Sequence, residues 1–205
     1  MKANKILFPF LLIVSTCVFG QESLVLPADL TFSSEFEKAM FDAHLNKTKP
    51  EAFKLFIASG QTLNEQAIDQ AFQHFDLFIK RVNTEKVLSK RNDKKVKLVY
   101  DDVHDTFLRK YELENRFEDI FINGHYNCVS ATALYALVFE KLNIPYVIKE
   151  KPTHVYLIAY PSTERIIVET TTPAGGFITF NPQFKQSYVK ILRDQKLITA
   201  QEYSK

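Results

Sequence analysis

The chain has no tryptophan, only five glycines and only two cysteines in 205 residues. Without tryptophan, any aromatic cover over a site has to come from tyrosine or phenylalanine. Gly175-Gly176 is the only double glycine, and there is no repeat, low-complexity tract or linker. That excludes an array of modules and leaves one domain of ordinary size. The apolar run Ile6 to Val14 is too short to span a bilayer, which takes about 20 residues. Neither sign of charge dominates, with 26 basic and 24 acidic side chains. This argues against nucleic acid or an anionic membrane surface as partner.

Residues 1–20 read as a signal peptide. Lys2 and Lys5 precede the short apolar run, and Val18-Phe19-Gly20 offers small residues for cleavage after Gly20. Two alternatives stand beside this: an uncleaved anchor, and a lipoprotein carrying lipid on Cys17. Cleavage removes both lysines and no acid, so the mature chain, 21–205, is neutral. The expectation is an exported protein, periplasmic or extracellular, with no integral membrane segment after the leader is removed. Cleavage also removes Cys17 and leaves Cys128 alone. Exported proteins usually pair their cysteines or lack them, so a lone one stands out as a free thiol. Its bland reading is a small buried hydrophobe.

Up to residue 123 the chain reads as helices. Ser34-Glu35-Phe36-Glu37 has the form of a capping box and opens a helix of about 12 residues. Lys49-Pro50 restarts a short helix that ends at Gly60. Thr62-Leu63-Asn64-Glu65 repeats the box and opens a longer helix, with Ile68, Ala71, Phe72, Phe75, Phe78, Ile79 and Val82 on one face. The basic stretch 80–97 reads as a solvated surface, offset by Asp101, Asp102 and Asp105. A further stripe, from Val96 through Val99 or Tyr100, Val103 and Phe107 to Tyr111, continues helix to about residue 112. Phe117, Ile120 and Phe121 then form a short helix or packed loop.

The segment from Gly124 to Pro145 organises the rest. After the Asn123-Gly124 turn it is apolar on nearly every face from Ala131 to Leu142, as in a buried helix. Asn143 and Pro145 mark its end. Cys128 stands at its start, where unpaired N–H groups and aligned peptide dipoles stabilise a thiolate. Beyond Pro145 the pattern turns to strands: Tyr146 to Lys149, a hairpin of His154 to Tyr160 and Arg165 to Thr170 about the Pro161-Ser162-Thr163-Glu164 turn, and Phe177 to Phe180. Gln183 to Lys205 reads as a C-terminal helix. The sum is one α+β domain: a helical region to residue 123, a core over 124–182 and a terminal helix.

Pairing within that hairpin sets His154 almost opposite residues 169–171. A carboxylate at Glu169 can then accept from one ring nitrogen while the other faces Cys128, which is the arrangement of nucleophile, base and orienting acid. Oxyanion donors are the Cys128 N–H and the side chain of Asn127 or of His125, although an asparagine before a helix is more often a cap. A metal reading uses His125-x-x-Cys128 with His154 and Glu169.

Four stretches carry a resemblance: Asn127-Cys128-x-Ser130-x-x-Ala133-Leu134, Lys141-Leu142-Asn143-Ile144-Pro145, His154-Val155-Tyr156 and Val168-Glu169-Thr170-Thr171. Over about residues 124–173 the chain resembles the bacterial transglutaminase-like superfamily, which shares the papain-like core. The resemblance implies a Cys-bearing helix packed on a small antiparallel sheet. It implies Cys128 as nucleophile, His154 as base and Glu169 as the acid that orients it, with no cofactor and a peptide or protein substrate. Three departures are plain. Glu169-Thr170-Thr171 stands where the family has Asp-Pro-Thr. Thr153 and Val155 flank the histidine where glycine and tryptophan are usual. Tyr156 or Tyr126 is left to act as the aromatic lid. The implied activity is hydrolysis or acyl transfer through a thioester. The alternative is an interaction domain that keeps the fold without the chemistry.

Overall fold

Caps and one-sided apolar stripes lay down the first half of the chain. The structure, a computed structural model, describes residues 30–151, 154–171 and 177–178. Contacts divide the chain into Met1–Thr31 and Phe32–Lys205, and every element below belongs to the second unit. The leader expected over 1–20, the Gly175-Gly176 turn and the helix expected over 183–205 lie outside the described residues.

Helix α1 is Glu35–Leu45. Ser34 Oγ accepts from the Glu37 N–H at 3.0 Å, and the Glu37 carboxylate accepts from the Ser33 N–H at 2.6 Å. No residue of α1 is fully buried. Helix α2, Ala52–Ala58, buries Phe53 and Ile57. Helix α3, Glu65–Val82, buries Ile68, Ala71, Phe75, Phe78, Ile79 and Val82, with Phe72 packed partly against the same core. Its cap is Asn64, whose side chain accepts from the Ala67 N–H at 2.9 Å, and not Thr62. The reason lies elsewhere in the chain. Glu118 is only 1% exposed, and its carboxylate accepts the N–H groups of Gln61 at 2.9 Å, Thr62 at 3.2 Å and Leu63 at 3.2 Å. Those residues are held in a loop. Gly60 fits against that carboxylate, since a Cβ there would stand 2.3 Å from Glu118 Oε2.

The basic stretch runs from the last turn of α3 through helices α4, Glu85–Leu88, and α5, Asn92–Phe107. Its charges pair on the surface, as in Lys97 with Asp101 at 2.8 Å, an arrangement that adds little stability. The helix expected to reach residue 112 stops at Phe107. Arg109 donates its N–H to Gly124 O at 2.8 Å and Glu112 to Tyr126 O at 2.8 Å. This draws β1, Lys110–Tyr111, into a parallel pair with β2, His125–Tyr126. Here long-range pairing overrides the local period. Helix α6, Asp119–Ile122, lies between them in sequence.

Helix α7 is Cys128–Lys141, and every residue from Ser130 to Phe139 is buried. It ends in a Schellman motif: Asn143 has φ 53, its N–H goes to Glu140 O, and the Ile144 N–H reaches Phe139 O at 2.8 Å. Strands β3 (Tyr146–Lys151), β4 (His154–Ala159), β5 (Ile166–Val168) and β6 (Phe177–Ile178) form an antiparallel sheet in that order. Leu157 pairs with Val168 and Ala159 with Ile166. The domain is therefore mixed α+β, with α7 packed between the helices and the sheet.

Replacing Glu118 by glutamine puts an NH2 group among three donors. The expected loss is about 2–4 kcal/mol of stability, read as a lower urea midpoint at unchanged slope.

Candidate active site

The tip of α7 is fixed by a reciprocal cap. Asn127 Oδ1 accepts from the N–H groups of Val129 (3.0 Å) and Ser130 (2.9 Å), and Ser130 Oγ accepts from the Asn127 N–H at 3.0 Å. Asn127 Nδ2 donates to Leu113 O at 3.0 Å and to Asn115 O at 3.3 Å. Ser130 Oγ donates to Asn115 Oδ1 at 2.5 Å. The amide of Asn127 is thus fully engaged. It is a cap that aims the helix, and it has no N–H left for an oxyanion. Cys128 is a free, half-buried cysteine in the first turn, and its own N–H has no acceptor among the described residues.

One turn further along, Thr132 fastens the helix to the sheet. Its hydroxyl donates to Val155 O at 3.3 Å and lies 3.3 Å from the hydroxyl of Thr170. Val155 follows His154, and Thr170 follows Glu169. The thiol end of α7 is therefore held at the same end of the sheet as the histidine and the acid.

His154 and Glu169 meet directly, with Nε2 and Oε2 2.5 Å apart. The register of β4 and β5, continued past Val168, puts Glu169 across from Tyr156 and diagonal to His154 on one face. Tyr156 stacks on the imidazole, with ring centroids 6.0 Å apart and planes 16° apart. The other carboxylate oxygen accepts from the Thr171 N–H at 3.2 Å and hydroxyl at 2.8 Å. The Glu169 carbonyl accepts from the Tyr100 hydroxyl at 3.1 Å. Tyr100 in turn stacks on Tyr135 (5.4 Å, 12°), whose hydroxyl donates to Tyr100 O at 3.0 Å.

The Glu169 side chain is 3% exposed. Burial pushes its pKa up, but the hydrogen bonds from His154 and Thr171 and the attraction of His154 outweigh this, so it lies below the ordinary carboxylate value. A carboxylate bound at Nε2 keeps the ring proton there, which leaves the Nδ1 lone pair to act as base. Nδ1 has no hydrogen-bond partner among the described residues, and the Cys128 thiol makes no hydrogen bond to the ring. Catalytic hydrogen bonds often tighten only once substrate is bound.

His125 turns away from this group, its Nδ1 lying 2.9 Å from Glu112 Oε2. Among the described residues no three His, Cys, Asp or Glu side chains converge as a metal site. The grouping proposed for a metal is therefore not assembled.

Tyr111 was hidden at the sequence level, where it reads as the last residue of a helical stripe. It packs edge-on against Tyr126, with ring centroids 5.8 Å apart. Burial, together with negative charge on Cys128 and on Glu169, raises its pKa. The pairing of β1 with β2 brings this ring to the strand that leads into α7. No local pattern signals a two-residue parallel strand. Tyr100 was missed for the same reason, since it reaches Glu169 only through the fold, whereas Thr171 bonds Glu169 locally from two residues away.

Comparisons with protein-family models, curated proteins and solved structures find no match for this chain. Among the described residues no helix is long and apolar enough to cross a membrane.

Because its folded pKa is lowered, Glu169 contributes stability that is complete above its unfolded value of about 4.3 and is lost as pH falls through the lower folded value. The stability difference between wild type and Glu169→Gln should be constant above about pH 5.5 and shrink below about pH 4. Urea titrations at each pH measure it.

Proposed function

We propose that this chain is an exported cysteine hydrolase or acyltransferase of the transglutaminase-like class, with a papain-like core. The observation that carries the reading is the short His154–Glu169 hydrogen bond at the end of the sheet to which Thr132 fastens the thiol-bearing helix tip. In this reading Cys128 Sγ loses its proton to His154 Nδ1 and attacks an amide carbonyl. The tetrahedral oxyanion accepts from the Cys128 N–H and from the Tyr111 hydroxyl. The imidazolium gives its proton to the nitrogen of the leaving amine, and the C–N bond breaks to leave a thioester on Cys128. Water deprotonated by His154 then attacks the thioester, releasing the acid and restoring the thiol. An acceptor amine in place of water gives transfer. Glu169 stays ionised throughout, holding the ring and stabilising its positive charge. Peptide and amide hydrolysis is the favoured outcome, on peptide or protein substrates.

One observation favours a second reading, an interaction domain without chemistry: the thiol makes no hydrogen bond to the imidazole. Alkylation of Cys128 by iodoacetamide against pH separates the two. The first reading expects fast alkylation well below pH 8, and a return in His154→Ala to the profile of an ordinary thiol with pKa about 8.5. A profile that is ordinary in both proteins overturns it and leaves the interaction domain.

Tyr111→Phe should slow acylation by an ester on the order of a hundredfold, since one oxyanion donor is lost. Alkylation, a displacement that develops no oxyanion, should keep its rate. Equal slowing of both reactions would instead show that Tyr111 acts on the thiol.

A further inference from the structure

Three of the exposed large apolar side chains belong to segments that meet at the start of α7, where Cys128 stands. Val129, the residue after Cys128, is 60% exposed. Leu113 is 78% exposed, and its carbonyl holds the side chain of Asn127, the residue before Cys128. Tyr111, two residues earlier, is 44% exposed, and its ring packs on Tyr126, two residues before Cys128. Single exposed apolar residues are ordinary on a protein surface, but a cluster beside a reactive group marks a binding surface.

Local stability accounts for none of this. Val129 occupies the second position of α7, where the helix dipole favours an acid and where a β-branched residue forms helix less readily than alanine. From the next residue, Ser130, the helix buries every side chain through to Phe139, so Val129 is the position left outside. Leu113 lies between Glu112 and Glu114 in a stretch that is otherwise polar. The two carboxylates beside it disfavour an acidic ligand.

We propose that Tyr111, Leu113 and Val129 form the rim that seats an apolar side chain on the residue whose carbonyl Cys128 attacks, so that the substrates are peptides or amides with an aliphatic or aromatic acyl residue. This rests on the thiol chemistry proposed above and adds its substrate class. Seating there removes apolar surface from water on both partners beside the reacting atoms. That energy favours the transition state only for an acyl group that reaches the rim.

The test uses two p-nitrophenyl esters of nearly equal shape, those of N-acetyl-leucine and N-acetyl-asparagine. Acylation of Cys128 in the full mature chain is followed by p-nitrophenol release and by protein mass. Each rate is divided by that of free cysteine with the same ester. The leucine ester should acylate at least about tenfold faster on this scale, the size of effect an apolar pocket gives. Leu113→Ser and Val129→Ser should each reduce that ratio several-fold, and the double variant should bring it near one. Both sites are exposed, and iodoacetamide alkylation of every variant should match wild type, which shows that the thiol and its surroundings are intact.

A ratio near one in wild type, or a ratio that survives the double substitution, overturns the proposal. So does a thiol that alkylates well below pH 8 yet is acylated by neither ester. None of these results touches the thiolate reading. A thiol that alkylates as an ordinary one and accepts neither ester ends both. A dimer in light scattering that the double substitution dissolves makes the rim a contact between copies, and overturns the proposal as well.

Discussion

A helix buried on all sides has a problem of aim. Apolar packing holds α7 in place but says little about its rotation or its depth, because that attraction has no direction. Three hydroxyls supply the direction. Ser130 locks the first turn to Asn127 and Asn115, Thr132 ties the second turn to Val155 and Thr170, and Tyr135 reaches Tyr100. Each side chain is small or flat enough to sit in a dense core, and each is satisfied there, so none carries the cost of a lone buried polar group. Everything at the site depends on this, because the thiol sits on the helix while the histidine and the acid sit on the sheet.

Two buried carboxylates show two uses of one group. Glu118 is surrounded by backbone N–H groups and shapes a loop. Glu169 is bound by an imidazole on one oxygen and a threonine on the other, with its backbone pinned from α5. The first arrangement has no titratable partner and serves the architecture. The second pairs an acid with a base whose other nitrogen is left without a hydrogen-bond partner among the described residues, which is the asymmetry that proton transfer needs.

How much of this could be read beforehand follows from the range of each interaction. The stripe from Ile68 to Val82 was legible because helix burial repeats within a few residues. The Ser34 box and the Asn143 end were legible because caps are local chemistry. The diagonal of His154 and Glu169 followed from a hairpin whose turn can be seen in Pro161 to Glu164. By contrast, Asn64 displaced Thr62 as a cap because Glu118, more than fifty residues away, claims the Thr62 N–H. Tyr111 left its helix because two residues pair with a segment beyond α6. Asn127, offered as an oxyanion donor, proved to have its amide consumed by two loop carbonyls. None of these distant partners leaves a mark near the residue it redirects.

The bond from Tyr100 to Glu169 joins residues 69 apart in sequence, and the pairing of β1 with β2 brings Tyr111 in from ahead of the Cys-bearing helix. The stretch from Gly124 to Thr171 holds the thiol, the imidazole and the carboxylate, yet as an excised fragment it would lack the two phenols that flank them. Transplanted alone onto another scaffold, it would carry the right letters in the wrong posture. The smallest heritable unit of this site therefore begins no later than α5, and a graft, permutation or split of the chain has to keep that helix with the rest.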